Sequence, residues 1–92
     1  MQLTRQAALE YATDGIRVNC VAPGTVDTPL VQRFLAEAPN AAQVMADLRA
    51  NHPIGRIGTA VEIGRVVAFL ASDEASFVTG ACLVADGGYT IA

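Results

Sequence analysis

The sequence predicts an α/β protein built on parallel strands, and three observations lead there. The elements run helix, strand, irregular segment, helix, strand. The first strand, residues 16–22, is apolar on both faces near its end, which suits an internal parallel strand. The helix at residues 59–72 separates the two strands, and a strand–helix–strand order calls for a right-handed crossover between parallel neighbours. Two strands alone are too few for a stable open sheet.

Residues 2–13 (QLTRQAALEYAT) have helical spacing, with Leu3, Ala7, Ala8, Tyr11 and Ala12 near one face. Asp14-Gly15 ends the helix, and Gly15 suits the left-handed position just past a helix C-terminus. No capping residue leads into Leu3, so the helix is expected to begin upstream of Met1. In residues 16–22 (IRVNCVA), Ile16, Val18, Cys20 and Ala22 line one face; Val21 shares the other with Arg17 and Asn19. Pro23-Gly24 stops this strand.

Residues 25–58 are irregular and hold Pro29, Pro39 and Pro53. They fit two short helices, about 30–38 and 41–50, with Asn40 as a cap for the second. A long broken segment after a strand is where loops carry function. Residues 59–72 form the clearest helix, opened by a Thr59/Glu62 capping box. Ile63, Val66, Val67 and Leu70 follow the helical repeat toward one core, and Gly64 is expected to permit close packing. Residues 82–85 (CLVA) read as a second strand, closed by Asp86-Gly87-Gly88.

Composition narrows the function classes. The chain has 92 residues, short for an ordinary domain, and 52% are hydrophobic, which argues against disorder. A short chain buries a small fraction of its surface, so part of this apolar surface expects further chain or another subunit. The net charge is −3, and the basic residues, all arginines, are scattered at 5, 17, 33, 49, 56 and 65. Without a basic stripe, no nucleic-acid partner is expected. Cys20 and Cys82 lie in separate apolar stretches and join no Cys/His cluster. They read as small hydrophobes, and no metal site is expected. No run approaches the ~20 apolar residues of a membrane span. No apolar leader follows Met1, and the chain is expected to be cytoplasmic.

At the level of motifs, the runs ALEYA (8–12), GIRVN (15–19) and Pro23-Gly24 resemble those of the classical short-chain dehydrogenase/reductases. So do Pro53-Ile54-Gly55-Arg56 with Glu62-Ile63, Phe69–Asp73, Val78-Thr79-Gly80 and Asp86-Gly87-Gly88. The match runs in order over essentially the whole chain. It implies the C-terminal portion of a Rossmann-type doubly wound parallel sheet, with residues 1–92 forming a partial domain and the N-terminal cofactor-binding half absent. Helix 2–13 would be the tail of the helix that carries the family's Tyr-x-x-x-Lys. Strands 16–22 and 82–85 would be the sixth and seventh, and residues 25–58 the substrate lid.

The implied chemistry is hydride transfer between NAD or NADP and a small alcohol or carbonyl compound, in a homo-oligomer. The implied cofactor-binding residues are Pro23, Gly24, Val26 and Thr28. Gly24 would let backbone approach a flat ring, Val26 would bond the nicotinamide carboxamide through its backbone, and Thr28 would contact the carboxamide or the phosphates. Read from the residues alone, Pro23-Gly24 is a turn and Thr28 a helix cap before Pro29. Both readings stay open at this point.

Catalytic residues are not expected in this chain. It contains no Lys, so it holds no Tyr-x-x-x-Lys; Tyr11 is followed four residues on by Gly15. It also has no glycine-rich loop between a strand and a helix to receive a pyrophosphate. The isolated chain is therefore expected neither to bind a dinucleotide tightly nor to turn over substrate. The alternative is a non-enzymatic interaction fragment of the same fold. Among the remaining side chains, His52 reads as a solvated loop histidine or a substrate contact, and Arg56 as a partner for Glu62 or Asp73. Asp27 reads as a water-facing turn residue, and Phe34, Leu35, Val44 and Met45 as pocket lining or ordinary helix faces.

Overall fold

The computed structural model describes residues 1–92. In chain order the elements are helix α1 (Gln2–Tyr11), strands β1 (Cys20–Pro23) and β2 (Val26–Asp27), helices α2 (Pro29–Glu37) and α3 (Ala41–Asn51), strand β3 (Gly58–Thr59), helix α4 (Ala60–Ala71) and strand β4 (Cys82–Ala85). Short 3₁₀ turns follow α1, α4 and β4. The strands form two pairs, β1 with β4 and β2 with β3. The Cys20 N–H donates to the Ala81 carbonyl and the Gly24 N–H to the Ala85 carbonyl, so both strands advance in the same direction. β2 and β3 are also parallel, with Val26 opposite Gly58 and Asp27 opposite Thr59. No helix is long and apolar enough to cross a membrane.

The chain divides into two compact units. One comprises Met1–Ala22 and Gly64–Val84. Here α1 ends as expected: Gly15 has φ 75°, and its N–H donates to the Ala12 carbonyl. The buried stripe of α1 differs from the expected one. Ala8 is buried and Thr4 and Ala7 half-buried, while Leu3 and Tyr11 face outward. Small residues pack closely here; a Cβ on Gly80 would lie 3.5 Å from that of Ala8.

The first strand begins four residues later than expected, because side-chain bonds stand in for ladder bonds beside residues 18 and 19. Val18 N–H donates to the Thr79 hydroxyl, and the Asn19 amide bridges Val78 C=O and Ala81 N–H. Arg17 donates to the carbonyls of Leu70, Ser72 and Val78, tying residues 70–78 to the start of the strand. Cys20 and Cys82 are half-buried free thiols, and a hydrogen bond between them lowers the pKa of Cys20 and raises that of Cys82.

The second unit comprises Pro23–Ile63 and Ala85–Ala92. α2 and α3 pack together through a half-buried stripe of Val31, Leu35, Val44, Met45 and Leu48, which leaves Phe34 exposed. Asn40 occupies the N-cap position of α3, but its carbonyl rather than its side chain meets the helix, accepting from Gln43 and Val44. The Thr59/Glu62 capping box forms as expected: Thr59 N–H donates to the Glu62 carboxylate, and Glu62 N–H to the Thr59 hydroxyl. Arg56 pairs with both oxygens of Glu62 at 2.8 Å, settling its partner. These bonds hold the Glu62 carboxyl well below its ordinary 4.5, at about 2, the Arg56 guanidinium first among causes.

In α4, Leu70 is buried and Ile63 and Val66 half-buried, whereas Val67 is exposed. A Cβ on Gly64 would meet nothing within 4 Å, so the close packing expected there is not made.

Candidate nicotinamide-side site

The four residues expected to touch a cofactor, Pro23, Gly24, Val26 and Thr28, sit together in the turn that follows β1 and leads through β2 into α2. Each is positioned by a different local rule. Gly24 ends the ladder by donating its N–H to Ala85 C=O at 3.2 Å. A Cβ at Gly24 would lie 2.7 Å from His52 Nε2 and 3.0 Å from Asp86 Cα. Glycine is thus required by packing within this unit. The space expected for a flat ring against Gly24 is filled, on the Cβ side, by His52 and Asp86.

Val26 has its backbone oriented by β3. The Gly58 N–H donates to the Thr25 carbonyl at 2.9 Å. Thr25 C=O and Val26 N–H belong to one peptide plane, and every peptide bond in the chain is trans. In a trans peptide the C=O and N–H point in opposite directions. The Val26 N–H is therefore turned away from β3.

Thr28 is the N-cap of α2, with extended backbone and its Oγ1 accepting from Val31 N–H at 3.3 Å; Pro29 follows at the first helical position. The cap reading made from the residues alone thus holds. Asp27 is exposed and accepts from the Gln32 side chain.

Two residues outside those four, His52 and Asp86, pack against the turn. His52 is only 3% exposed, so it is not the solvated loop histidine expected. Its Nε2 accepts the Thr25 N–H at 3.2 Å, and its Nδ1 lies 2.7 Å from the Leu48 carbonyl. Its ring centroid is 5.4 Å from that of Tyr89. Asp86 is 8% exposed, and its two oxygens accept the N–H groups of Gly88 and Thr90, each at 3.0 Å. Hydrogen bonds from Thr90 and Gly88 hold its carboxyl below the usual range. Asp86-Gly87-Gly88 carried the signal of a turn, and the aspartate serves it as an acceptor.

The other unit contains a cavity of about 220 Å³ lined by Arg17, Asn19, Val21, Val67, Leu70 and Ala71. Both terminal nitrogens of Arg17, its charged lining group, are committed to carbonyls.

Residues 1–90 match the family model described as enoyl-(acyl carrier protein) reductase. The chain belongs to the short-chain dehydrogenase/reductase family. Among the relatives, it is 56% identical over 88 residues to a cis-4-hydroxycyclohexanecarboxylate dehydrogenase of Sinomonas cyclohexanicum, covering 96% of this chain and 33% of that protein. A short-chain dehydrogenase family protein of Francisella tularensis superposes with a TM-score of 0.92 at 38% identity, over 99% of this chain and 40% of that one. ElxO, solved with NADP bound, superposes at 0.85 with 33% identity, over 99% of this chain and 36% of that one. The chain spans about a third of the length of the curated relative it matches. Its fold is that of the corresponding part of the family's Rossmann-type α/β sheet.

Proposed function

We propose that this chain supplies the nicotinamide-side rim and the substrate lid of an NAD(P)-dependent oxidoreductase that interconverts a small alcohol and a carbonyl compound. The observation that carries the reading is the Val26 N–H, turned away from β3 at the carboxyl end of a parallel strand, where ligands of open α/β sheets bind. A backbone donor there fits the carboxamide oxygen of a nicotinamide. Pro23 and Gly24 shape the approach, and Thr28 keeps its hydroxyl hydrogen free to donate while its oxygen caps α2. Residues 25–58, with α2 and α3, form the lid. The cofactor itself would supply the hydride; this chain's residues orient the ring and cover it.

The remaining parts of such an enzyme are not encoded in this sequence: no Lys to accompany a catalytic Tyr, and no glycine-rich phosphate loop. The activity for which that relative is named points to a ring-bearing secondary alcohol as substrate class. The test is to put residues 1–92 in place of the matching third of that dehydrogenase and assay cofactor-dependent turnover, beside the isolated chain. The joined protein is expected to turn over and the isolated chain to be inert. A low-micromolar affinity of the isolated chain for NAD or NADP, or a folded but inactive joined protein, would overturn the reading.

A second reading, an oligomerising fragment, is favoured by one observation. Leu3 and Leu9 of α1 are 80% and 81% exposed, and Phe77 is fully exposed. Such apolar exposure marks association surfaces. Sedimentation of the chain would decide it: a defined oligomer supports this reading, and a monodisperse monomer of 9.6 kDa refutes it.

A further inference from the structure

We propose that His52 is a positioning residue that latches the Gly24–Val26 backbone in place while its ring is neutral and lets go when the ring gains a second proton. The inference rests on the reading of Val26 given above. Nothing in that reading uses His52, which lies in the segment after α3, twenty-seven residues from Thr25.

The ring is buried and both its nitrogens are committed. Thr25 N–H is a fixed donor, so Nε2 must act as the acceptor; Leu48 C=O is a fixed acceptor, so Nδ1 must carry the hydrogen. One neutral tautomer satisfies both. A proton added at Nε2 would face the Thr25 N–H, and the bond would be lost. The ring is seated against the bare Gly24 backbone: Nε2 lies 2.7 Å from the point that a Cβ at position 24 would take.

Thr25 is anchored at both its polar groups. His52 holds its N–H, and Gly58 holds its C=O. The latter belongs to the peptide plane that aims Val26 N–H. The histidine bond holds the Gly24–Thr25 peptide next to it, so its loss leaves Gly58 as the one anchor of Thr25 and frees the backbone that leads into that plane.

The titratable and charged groups on the elements packed around the ring are few. Asp47 and Arg49 are exposed on α3. In the turn after β4, Asp86 is taken up by Gly88 and Thr90, and Tyr89 stacks obliquely at 38°. The Gly24–Thr25 turn brings none. No carboxylate is hydrogen-bonded to the imidazole.

The experiment is a pH series of nitrogen–proton NMR spectra on the full chain, following the Thr25 amide and the His52 ring nitrogens. His52→Gln offers an acceptor with no proton to gain; His52→Leu offers none. The Thr25 amide is expected to shift in step with the His52 ring in the unaltered chain and to stay still in H52Q. In H52L its hydrogen exchange should be about tenfold faster. A Thr25 amide that ignores the His52 titration, or follows pH equally in H52Q, overturns the latch.

The second arm uses the joined protein described above and reads its affinity for NADH and NADPH against pH. H52Q is expected to flatten the acid limb, and H52L to weaken binding at every pH. If H52L does not fold, the unaltered protein and H52Q decide alone, by NMR and by affinity, and both spectra can be recorded on the joined protein. A working latch with unaltered affinity in H52L overturns the positioning role without touching the Val26 reading. Absence of any cofactor binding, with the latch intact, is instead a failure of the Val26 reading.

Discussion

The two units of this chain handle polar groups in opposite ways. In Pro23–Ile63 with Ala85–Ala92, polar side chains go inside: His52 and Asp86 are 3% and 8% exposed, and each meets backbone donors or acceptors. In Met1–Ala22 with Gly64–Val84, the buried side chains are small and apolar, Ala8, Leu70 and Ala75, while the polar bridges of Arg17 and Asn19 lie nearer the surface. Buried polar groups are tolerated only when matched, and no buried side-chain nitrogen or oxygen here lacks a partner. Matching of that kind fixes geometry. The unit of Pro23–Ile63 and Ala85–Ala92 therefore holds a turn in a defined shape, and the other holds the start of a strand by half-buried side-chain bonds.

Substitutions can break or sharpen this contrast. The largest effect is expected at Gly24→Ala, because the new methyl would meet His52 Nε2 at 2.7 Å and the Asp86 backbone at 3.0 Å. We expect a loss of about 3 kcal/mol in denaturant unfolding, the upper end for overpacking. A neutral G24A would mean the turn is not rigid. Arg17→Ala removes three carbonyl contacts in the other unit and should cost roughly 2 kcal/mol. Arg17→Lys should recover little of this, since a point charge cannot replace the fork.

Thr28→Ala deletes a single N-cap bond and should cost about 1 kcal/mol, with Thr28→Ser close to neutral, both by thermal melting. The smallest effect concerns Glu62. Its carboxyl is depressed from 4.5 to about 2 in the folded chain, so its contribution is complete above pH 4.5 and is lost as pH falls toward 2. A half-exposed pair in salt contributes little. Glu62→Gln should flatten that part of the acid limb of a stability–pH curve, and an unchanged acid limb would show that the pair is not formed in solution.

The parts of the fold that are local in cause were readable in the sequence. β4 falls at 82–85 as expected, α4 opens at its Thr59/Glu62 box, and Gly15 takes the left-handed position that its place after Asp14 implied. The start of β1 was not readable, because Thr79 and the Asn19 side chain replace ladder bonds from sixty residues away. Nor were β2 and β3, two residues each, too short to leave a period. Of the site, Thr28 was readable as a cap and Gly24 as a turn. The role of His52 was not, since a histidine before a proline looks like any loop histidine. Its burial depends on contacts with Gly24 and Thr25, distant in sequence.

The central claim is that the Val26 N–H of this chain faces the nicotinamide of a dinucleotide. Its direct test is the dissociation constant of the joined protein for NADH and NADPH with Val26→Pro, which lacks that hydrogen, set against Val26→Ala, which loses the side chain but keeps the hydrogen. The N–H is turned away from β3, so its loss breaks no bond to β3. We predict that V26P melts as V26A does and binds about tenfold or more weakly than V26A, the loss expected when a buried partner is left unpaired. A V26P protein that folds and binds the cofactor as tightly as V26A would contradict the account.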